Sequence, residues 1–150
     1  MSTLGRVKCA VLGSRGLVAQ RLLQRLSNHH WLAPVCVVGS SESEGMNVSE
    51  IPWSFRETKP SFPELRIIGI GQNGELASHL ISEGVRIVFS ALPDSPASYI
   101  EEELAKAGLV VISHSTVHRH SQVIPLVVPG VNNDHLGLID LQSGFGKGML

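Results

Sequence analysis

Two short segments carry residue types whose spacing suits binding or catalysis. The first is Gly13-Ser14-Arg15-Gly16, which follows an apolar run and leads into a pattern with helical spacing. The second is residues 113–120, Ser-His-Ser-Thr-Val-His-Arg-His, with three histidines and an arginine. The first segment indicates a phosphate-binding turn, and the second indicates a ligand-contacting or acid–base site.

The glycine turn is typical of a nucleotide-binding α/β fold, in which a strand passes through glycines into a helix. Gly13 permits a tight turn, Gly16 lets a ligand approach the backbone, and Ala19 keeps helix and strand close. The helix then points its free N–H groups at a phosphate. The spacing G-x-x-G-x-x-A differs from the commoner G-x-G-x-x-G, so an ordinary turn without a ligand stays open as the alternative.

The histidine segment has three interpretations. It follows a predicted strand, where open α/β sheets bind ligands. His114, His118 and His120 could form an acid–base cluster, they could form part of a metal site, or all three could be solvated loop residues. No carboxylate or cysteine stands beside them in the sequence, so we predict no metal.

Length and composition limit the class of protein. The 150 residues suit one domain, which we place at residues 1–140, followed by a flexible tail at 141–150. A net charge of −1 without a basic patch argues against nucleic acid. No apolar run reaches the roughly 20 residues that span a bilayer, and no apolar run of a signal peptide is present. Cys9 and Cys36 lie in apolar runs and are expected to be buried free thiols, so we expect a cytoplasmic protein.

Apolar runs alternate with helical patterns along the chain. This alternation predicts a Rossmann-like, doubly wound parallel sheet with helices on both faces. The strands are predicted at 7–12, 33–39, 65–69, 86–92, 109–113 and 125–129, and the helices after Gly16, at 75–82 and from about 95 to 107. The polar stretch 40–63 is predicted to be a functional loop or to carry small elements. Glu101-Glu102-Glu103 is predicted to be a solvated helix face. The segment from Gly144 to Gly148 looks like a phosphate loop but is predicted to be a mobile end.

Several stretches resemble the amino-terminal, dinucleotide-binding half of aspartate-semialdehyde dehydrogenases. They occur in that family's order and cover residues 6–140: 11–23, 27–31, 89–93, 101–108, and 118–119 leading to 125–136. The resemblance implies a Rossmann-like fold and an NAD(P) cofactor. It also implies that Ser90 touches the cofactor and that Arg119 contacts a substrate phosphate.

The family's reaction needs a cysteine thiolate, a histidine base and substrate-binding arginines. The resemblance places these groups in an Asn-Cys-Ser/Thr segment and in the catalytic and dimerisation domain that follows it. The chain stops at Leu150, about where that segment should begin, and Cys9 and Cys36 fall in strands of the nucleotide half. We therefore expect that domain to be absent and the chain not to be an active dehydrogenase by itself.

The cofactor-binding positions depart from the family pattern. The family's Gly-Ala-Thr-Gly is Gly13-Ser14-Arg15-Gly16 here, and the arginine that commonly reads the 2′-phosphate of NADP is replaced near Ser40-Ser41-Glu42. A carboxylate repels a phosphate and accepts from a 2′-hydroxyl, so we expect NAD before NADP, or no cofactor at all. The candidate cofactor-binding residues are Gly13, Ser14, Arg15, Gly16, Leu17, Val18, Ser40, Glu42, Ser90 and Leu92.

Three functions stay open at this point. The chain could be a dinucleotide-binding pseudoenzyme. It could instead be a small stand-alone enzyme for cyclisation, isomerisation or dehydration of a small molecule, with His114, His118 and Arg119 as candidate catalytic residues. It could also be an interaction module with an empty cleft. Without a second domain an apolar patch and a sheet edge would face water, so we expect a homo-oligomer or a partner chain.

Overall fold

The computed structural model describes residues 5–62, 64–71, 74–143 and 149. Its strands are β1 (Val7–Leu12), β2 (Leu32–Val38), β3 (Ile67–Ile68), β4 (Ile87–Ser90) and β5 (Val110–Ser113). Its α-helices are α1 (Leu17–Leu26), α2 (Glu75–Ser82) and α3 (Asp94–Lys106), and 3₁₀ helices cover Val48–Glu50 and Asn133–Leu141. Within these ranges no helix has the length and apolar character needed to cross a membrane.

The five strands form one parallel sheet in the order β3-β2-β1-β4-β5. The chain therefore runs outward from β1 to β3, then returns to the other side of β1 and continues to β5. The strand order reverses between β1 and β4, which is where open α/β sheets bind ligands. The predicted doubly wound, Rossmann-like fold is confirmed.

The sheet is covered on both faces by apolar side chains. Cys9 and Val11 of β1 pack toward α1, against Leu23 and Leu26. The intervening Ala10 and Leu12 pack toward α2 and α3, in the same cluster as Leu80 and Leu104. This alternation is the side-chain period of a strand, and burial on both faces explains why the strands read as continuous apolar runs.

A row of backbone hydrogen bonds continues the sheet one residue beyond the strands. In each bond, the N–H of the residue that follows one strand donates to the carbonyl of the last residue of its neighbour. The bonds are Gly39 to Ile68 (2.9 Å), Gly13 to Val38 (2.8 Å), Ala91 to Leu12 (2.8 Å) and His114 to Ser90 (2.9 Å). We call this the carboxyl-edge row. It brings the turns that follow all five strands to one edge of the sheet.

The polar stretch 40–63 contains a small element of its own, as predicted. Asn47 caps the 3₁₀ helix Val48–Glu50, because its side chain accepts from the Ser49 N–H while the Glu50 carboxylate accepts from the Asn47 N–H. Strand β3 is shorter than predicted. Its first predicted residues pair with this element instead, through Val48 N–H to Leu65 O (2.9 Å) and an antiparallel bridge between Asn47 and Arg66.

The predicted strand at 125–129 is wrong. Pro125 and Pro129 have no N–H to donate to a sheet. Asn132 satisfies the backbone between them: its Oδ1 accepts from Val128 N–H (2.7 Å) and its Nδ2 donates to Leu126 O (2.8 Å). The segment is therefore an irregular loop, and both Leu126 and Val128 are exposed.

The end of the chain is only partly described. Residues 144–148, the mobile end of the sequence prediction, lie outside the described residues. Met149 is fully buried and forms a parallel bridge with Val111 at the outer edge of β5. Gln142 fixes it, because the Met149 N–H donates to Gln142 Oε1 and Gln142 Nε2 donates to Met149 O, both at 2.8 Å. This residue of the predicted tail is therefore packed against the sheet.

The core can be tested with two neighbours on α2. Leu80 is fully buried and Ile81 is 48% exposed. We expect Leu80→Ala to lower the free energy of unfolding by about 2–5 kcal/mol, since it removes buried methyl groups and leaves a cavity. Ile81→Ala, the matched control, should cost less than about 1 kcal/mol. Urea unfolding followed by circular dichroism measures both, and equal losses would contradict the burial of Leu80 in the core.

Candidate functional site

The glycine turn combines a strained glycine with an open one. Gly13 has a φ of +100°, and a Cβ there would lie 3.0 Å from the Ala91 carbonyl oxygen, so only glycine fits without a shift. Gly16 has an ordinary φ of −67°, and a Cβ added there would meet no atom within 4 Å. Protein packing therefore explains the first glycine and leaves free space above the second.

The N-terminus of α1 opens into this space. Gly16 is the N-cap, and among the described residues no side chain accepts from the first turn of the helix. The helix therefore presents backbone N–H donors and its positive dipole end at the carboxyl edge of the sheet. Leu17 is exposed and Val18 is half-buried, so the candidate residues that follow the turn also border this space.

Two side-chain contacts join the glycine turn to the turn after β2. Ser14 Oγ lies 3.2 Å from Ser43 Oγ, and both serines are buried. Arg15 Nη1 donates to Glu42 Oε2 at 2.9 Å, and both of these side chains are more than half exposed. An exposed pair of this kind adds about 0–1 kcal/mol, so its importance lies in where it places the two charges. Ser40, also a candidate, is exposed beside it.

Ser90 ends β4 beside the glycine turn. It is 1% exposed, and its Oγ is a buried polar atom with no hydrogen-bond partner within the described ranges. Leu92, two residues on, is partly buried against the α2 and α3 side of the core. An orphaned hydroxyl, an uncapped helix and free space above Gly16 lie along one edge, and this donor set fits a dinucleotide.

The histidine segment forms a second cluster, at the end of β5. A cavity of about 230 Å³ lies there. Its polar side is formed by Ser113, His114, Ser115, His118 and Arg119, and its apolar wall by Ile124 to Val127. His114 and Arg119 are exposed, Arg119 Nη2 donates to the His114 carbonyl at 3.4 Å, and the His118 side chain is only 12% exposed. The three candidate catalytic residues therefore meet at one cavity.

Glu101 is the charged residue that the sequence analysis missed. It is fully buried, so the prediction of a solvated face for residues 101–103 is wrong at this position. Glu101 lies four residues after the buried Ala97 and three before the buried Leu104 on α3. The helical spacing of the apolar stripe could therefore have placed Glu101 inside.

The start of α3 also fixes the histidine segment. Asp94 accepts from the backbone N–H of Thr116 at 3.0 Å and from its hydroxyl. These hydrogen bonds from Thr116 hold the pKa of the Asp94 carboxyl below its usual value. In the part of the chain that the structure describes, no three His, Cys, Asp or Glu side chains are grouped so that they could hold a metal ion.

Comparison with known families agrees with this geometry. The profile of the family described as "Semialdehyde dehydrogenase, NAD binding domain" matches residues 8–139. The chain belongs to this family. The resemblance seen in the sequence is therefore confirmed, and the glycine turn, Ser90 and the histidine segment all lie within the matched residues.

The relatives that match the chain are longer than it is. It is 33% identical over 140 residues to an aspartate-semialdehyde dehydrogenase of Archaeoglobus fulgidus, covering 92% of the chain and 38% of that protein. It is 32% identical to a malonyl CoA reductase (NADP) of Metallosphaera sedula, covering 91% and 36%. The crystal structure of an aspartate-semialdehyde dehydrogenase with NADP from Candida albicans superposes with a TM-score of 0.76 at 28% identity, covering 97% and 42%. The chain thus spans about two-fifths of these relatives.

The two cysteines of the chain are poor nucleophiles. Cys9 is fully buried and Cys36 is 4% exposed. Burial raises the pKa of Cys9 to about 12 and that of Cys36 to about 11, from the ordinary thiol value of 9.0. Since the thiolate is the reactive form, both thiols are inert at neutral pH.

The raised thiol pKa values predict how stability depends on pH. Above pH 9.0 the unfolded chain releases thiol protons that the native chain still holds. The free energy of unfolding should therefore fall as the pH rises from 9 toward 11, by up to about 1.4 kcal/mol per pH unit for each thiol. Guanidinium unfolding at a series of pH values measures the slope. Cys36→Ala should reduce it, and an unchanged slope would contradict the assignment.

Proposed function

We propose that the chain binds a nicotinamide dinucleotide at the carboxyl edge of its sheet, as the NAD(P)-binding part of a semialdehyde dehydrogenase-like protein. The observation that carries this proposal is the uncapped N-terminus of α1 facing free space above Gly16. Those backbone N–H groups suit a pyrophosphate, because each orphan donor gains an anionic acceptor. Ser90, whose buried hydroxyl has no partner within the described ranges, would donate to the cofactor beyond the pyrophosphate.

The cofactor is proposed to be NAD rather than NADP. Glu42 follows β2, where a carboxylate can accept hydrogen bonds from the ribose hydroxyls. A 2′-phosphate would face the Glu42 carboxylate. The Arg15 guanidinium is already paired with that carboxylate at 2.9 Å. NADP is named in the descriptions of the relatives from C. albicans and M. sedula, and it applies to those proteins.

The proposed role is binding and orientation, without covalent catalysis by the residues described. The nicotinamide ring would accept or supply a hydride when bound. Oxidation of an aldehyde through a thioester also needs a thiolate close to that ring. Cys9 and Cys36 are buried strand residues, so neither supplies it. We therefore propose that this span is not an active dehydrogenase by itself.

Calorimetric titration with NAD and with NADP tests the proposal. We expect the native chain to bind NAD more tightly, and Glu42→Arg to reverse the preference by removing a repelling charge and adding an attracting one. A tenfold change in the NAD to NADP affinity ratio corresponds to about 1.4 kcal/mol. Glu44→Arg is the matched control, since it makes the same charge change two residues away and leaves the Arg15–Glu42 pair intact.

A second substitution tests the phosphate position itself. Gly16→Val should preserve the fold, because its φ is ordinary and no atom lies within 4 Å of the added Cβ. It should nevertheless weaken NAD binding by roughly tenfold or more, since the side chain occupies the space above the helix. Absence of NAD and NADP binding to the native chain at millimolar concentrations would overturn the proposal.

A second candidate function is non-redox chemistry in the β5 cavity. The convergence of His118 and Arg119 on a cavity of about 230 Å³ favours it. An imidazole can transfer protons and a guanidinium can stabilise an anion, as cyclisation, isomerisation or dehydration of a small molecule would require. This function needs neither a cysteine nor a dinucleotide.

We also propose that the segment 126–141 forms an apolar face that is covered by protein, in a homo-oligomer or by a partner chain. Five large apolar residues there are exposed: Leu126, Val128, Val131, Leu136 and Leu141. An apolar patch of this kind commonly marks an interaction site.

Light scattering tests the proposed association. We expect the native chain to form a species larger than a monomer and Val131→Asp to dissociate it. Val131 is 79% exposed and is the third of the five exposed apolar residues along this segment. Trp31→Asp, at a similarly exposed residue before β2, should leave the assembly unchanged. A native monomer at working concentration would contradict the proposal.

A further inference from the structure

Glu101 is a buried charge that dinucleotide binding does not use. It lies on α3 with no exposed surface, and an isolated buried carboxylate is costly unless partners compensate for its lost hydration. All of its side-chain partners in the described ranges come from the histidine segment. The carboxylate therefore connects α3 to one side of the β5 cavity.

Two serine hydroxyls hold the carboxylate. Ser113 Oγ donates to Glu101 Oε1 at 2.8 Å, and Ser115 Oγ donates to Glu101 Oε2 at 3.3 Å. The two hydroxyls are themselves 2.9 Å apart, and the Ser115 N–H donates to Ser113 Oγ at 3.0 Å. Both serines line the cavity, so the position of the carboxylate is tied to the cavity wall.

His118 is the third partner of this carboxylate. Its Nε2 lies 3.3 Å from Glu101 Oε2, within ion-pair distance, although the alignment falls short of a regular hydrogen bond. In a neutral imidazole one nitrogen carries a proton and the other a lone pair. A lone pair on Nε2 would lie 3.3 Å from the carboxylate oxygen and be repelled by its charge, whereas a proton there would be attracted. The carboxylate therefore favours the tautomer with the proton on Nε2, which leaves the Nδ1 lone pair for a ligand.

We propose that Glu101 is a positioning residue that orients His118 as a proton acceptor in the β5 cavity. The ligand would be a small molecule with a proton to lose and a carboxylate or phosphate for Arg119. His118 would take the proton at Nδ1, and the imidazolium so formed would be stabilised by Glu101 until the proton returns to the ligand or to water. This inference rests on the second candidate function and is independent of NAD binding.

The tautomer of His118 tests the positioning role. In a chain labelled with ¹⁵N-histidine, the imidazole nitrogen shifts report the protonated nitrogen at alkaline pH, and His118→Gln identifies the resonance. We expect the native chain to carry the proton on Nε2 and Glu101→Gln to lose that preference. Glu102→Gln should retain it, because Glu102 pairs with Lys106 at 3.2 Å on the exposed side of α3. A native Nδ1–H tautomer, or an unchanged tautomer in Glu101→Gln, would overturn the positioning role.

If Glu101→Gln does not fold, the Ser115→Ala variant tests the positioning role instead. It leaves the carboxylate in place and frees Oε2, so the Nε2–H form should persist. Loss of that form would assign the tautomer to the hydroxyls and overturn the role of Glu101.

Hydrolysis of p-nitrophenyl acetate tests the acid–base function separately. His118 would accept a proton from the attacking water, acetate and nitrophenol would leave, and the proton would pass to solvent. The rate lost in His118→Gln defines the His118 contribution. We expect Glu101→Gln to reduce that contribution about tenfold and Glu102→Gln to preserve it. A native Nε2–H tautomer without any His118-dependent hydrolysis would overturn the acid–base function while supporting the positioning role.

Discussion

The carboxyl-edge row is the constraint on which both candidate sites depend. Four N–H···O bonds of 2.8–2.9 Å extend the parallel pairing past the strands themselves. Each bond fixes the first residue of a turn against the last residue of a neighbouring strand. The glycine turn, the turn after β2, Ala91 and His114 therefore start from one level, and the side chains that follow them can meet.

The fold was largely predictable because local chemistry and burial agree. Apolar runs, glycines and helical spacing placed the five strands and three α-helices within a few residues. The strand predicted at 125–129 is absent, because two prolines lack the N–H that a strand donates and apolar content alone does not reveal this. Only the structure shows that the Asn132 side chain takes over the backbone of that segment.

The candidate sites were predictable in residue type but not in partnership. Gly13 and Gly16 were both expected, yet sequence cannot tell that Ala91 constrains the first and that open space surrounds the second. The pairing of Arg15 with Glu42 joins residues far apart in the chain, so no local pattern contains it. The burial of Glu101 was not predicted for another reason. Three consecutive glutamates suggest one exposed surface, whereas a helix points consecutive side chains in different directions.

A buried amide ties the glycine turn to the long excursion between β2 and β3. Gln20 Nε2 donates to the Arg15 carbonyl at 2.8 Å and to the Pro52 carbonyl at 3.2 Å. Its Oε1 accepts from the Ser54 N–H at 2.8 Å. One rigid planar group thus bridges a peptide of the turn and a peptide more than thirty residues away. The excursion is therefore anchored to the glycine turn by side-chain hydrogen bonds of one residue, in addition to the pairing of the strands.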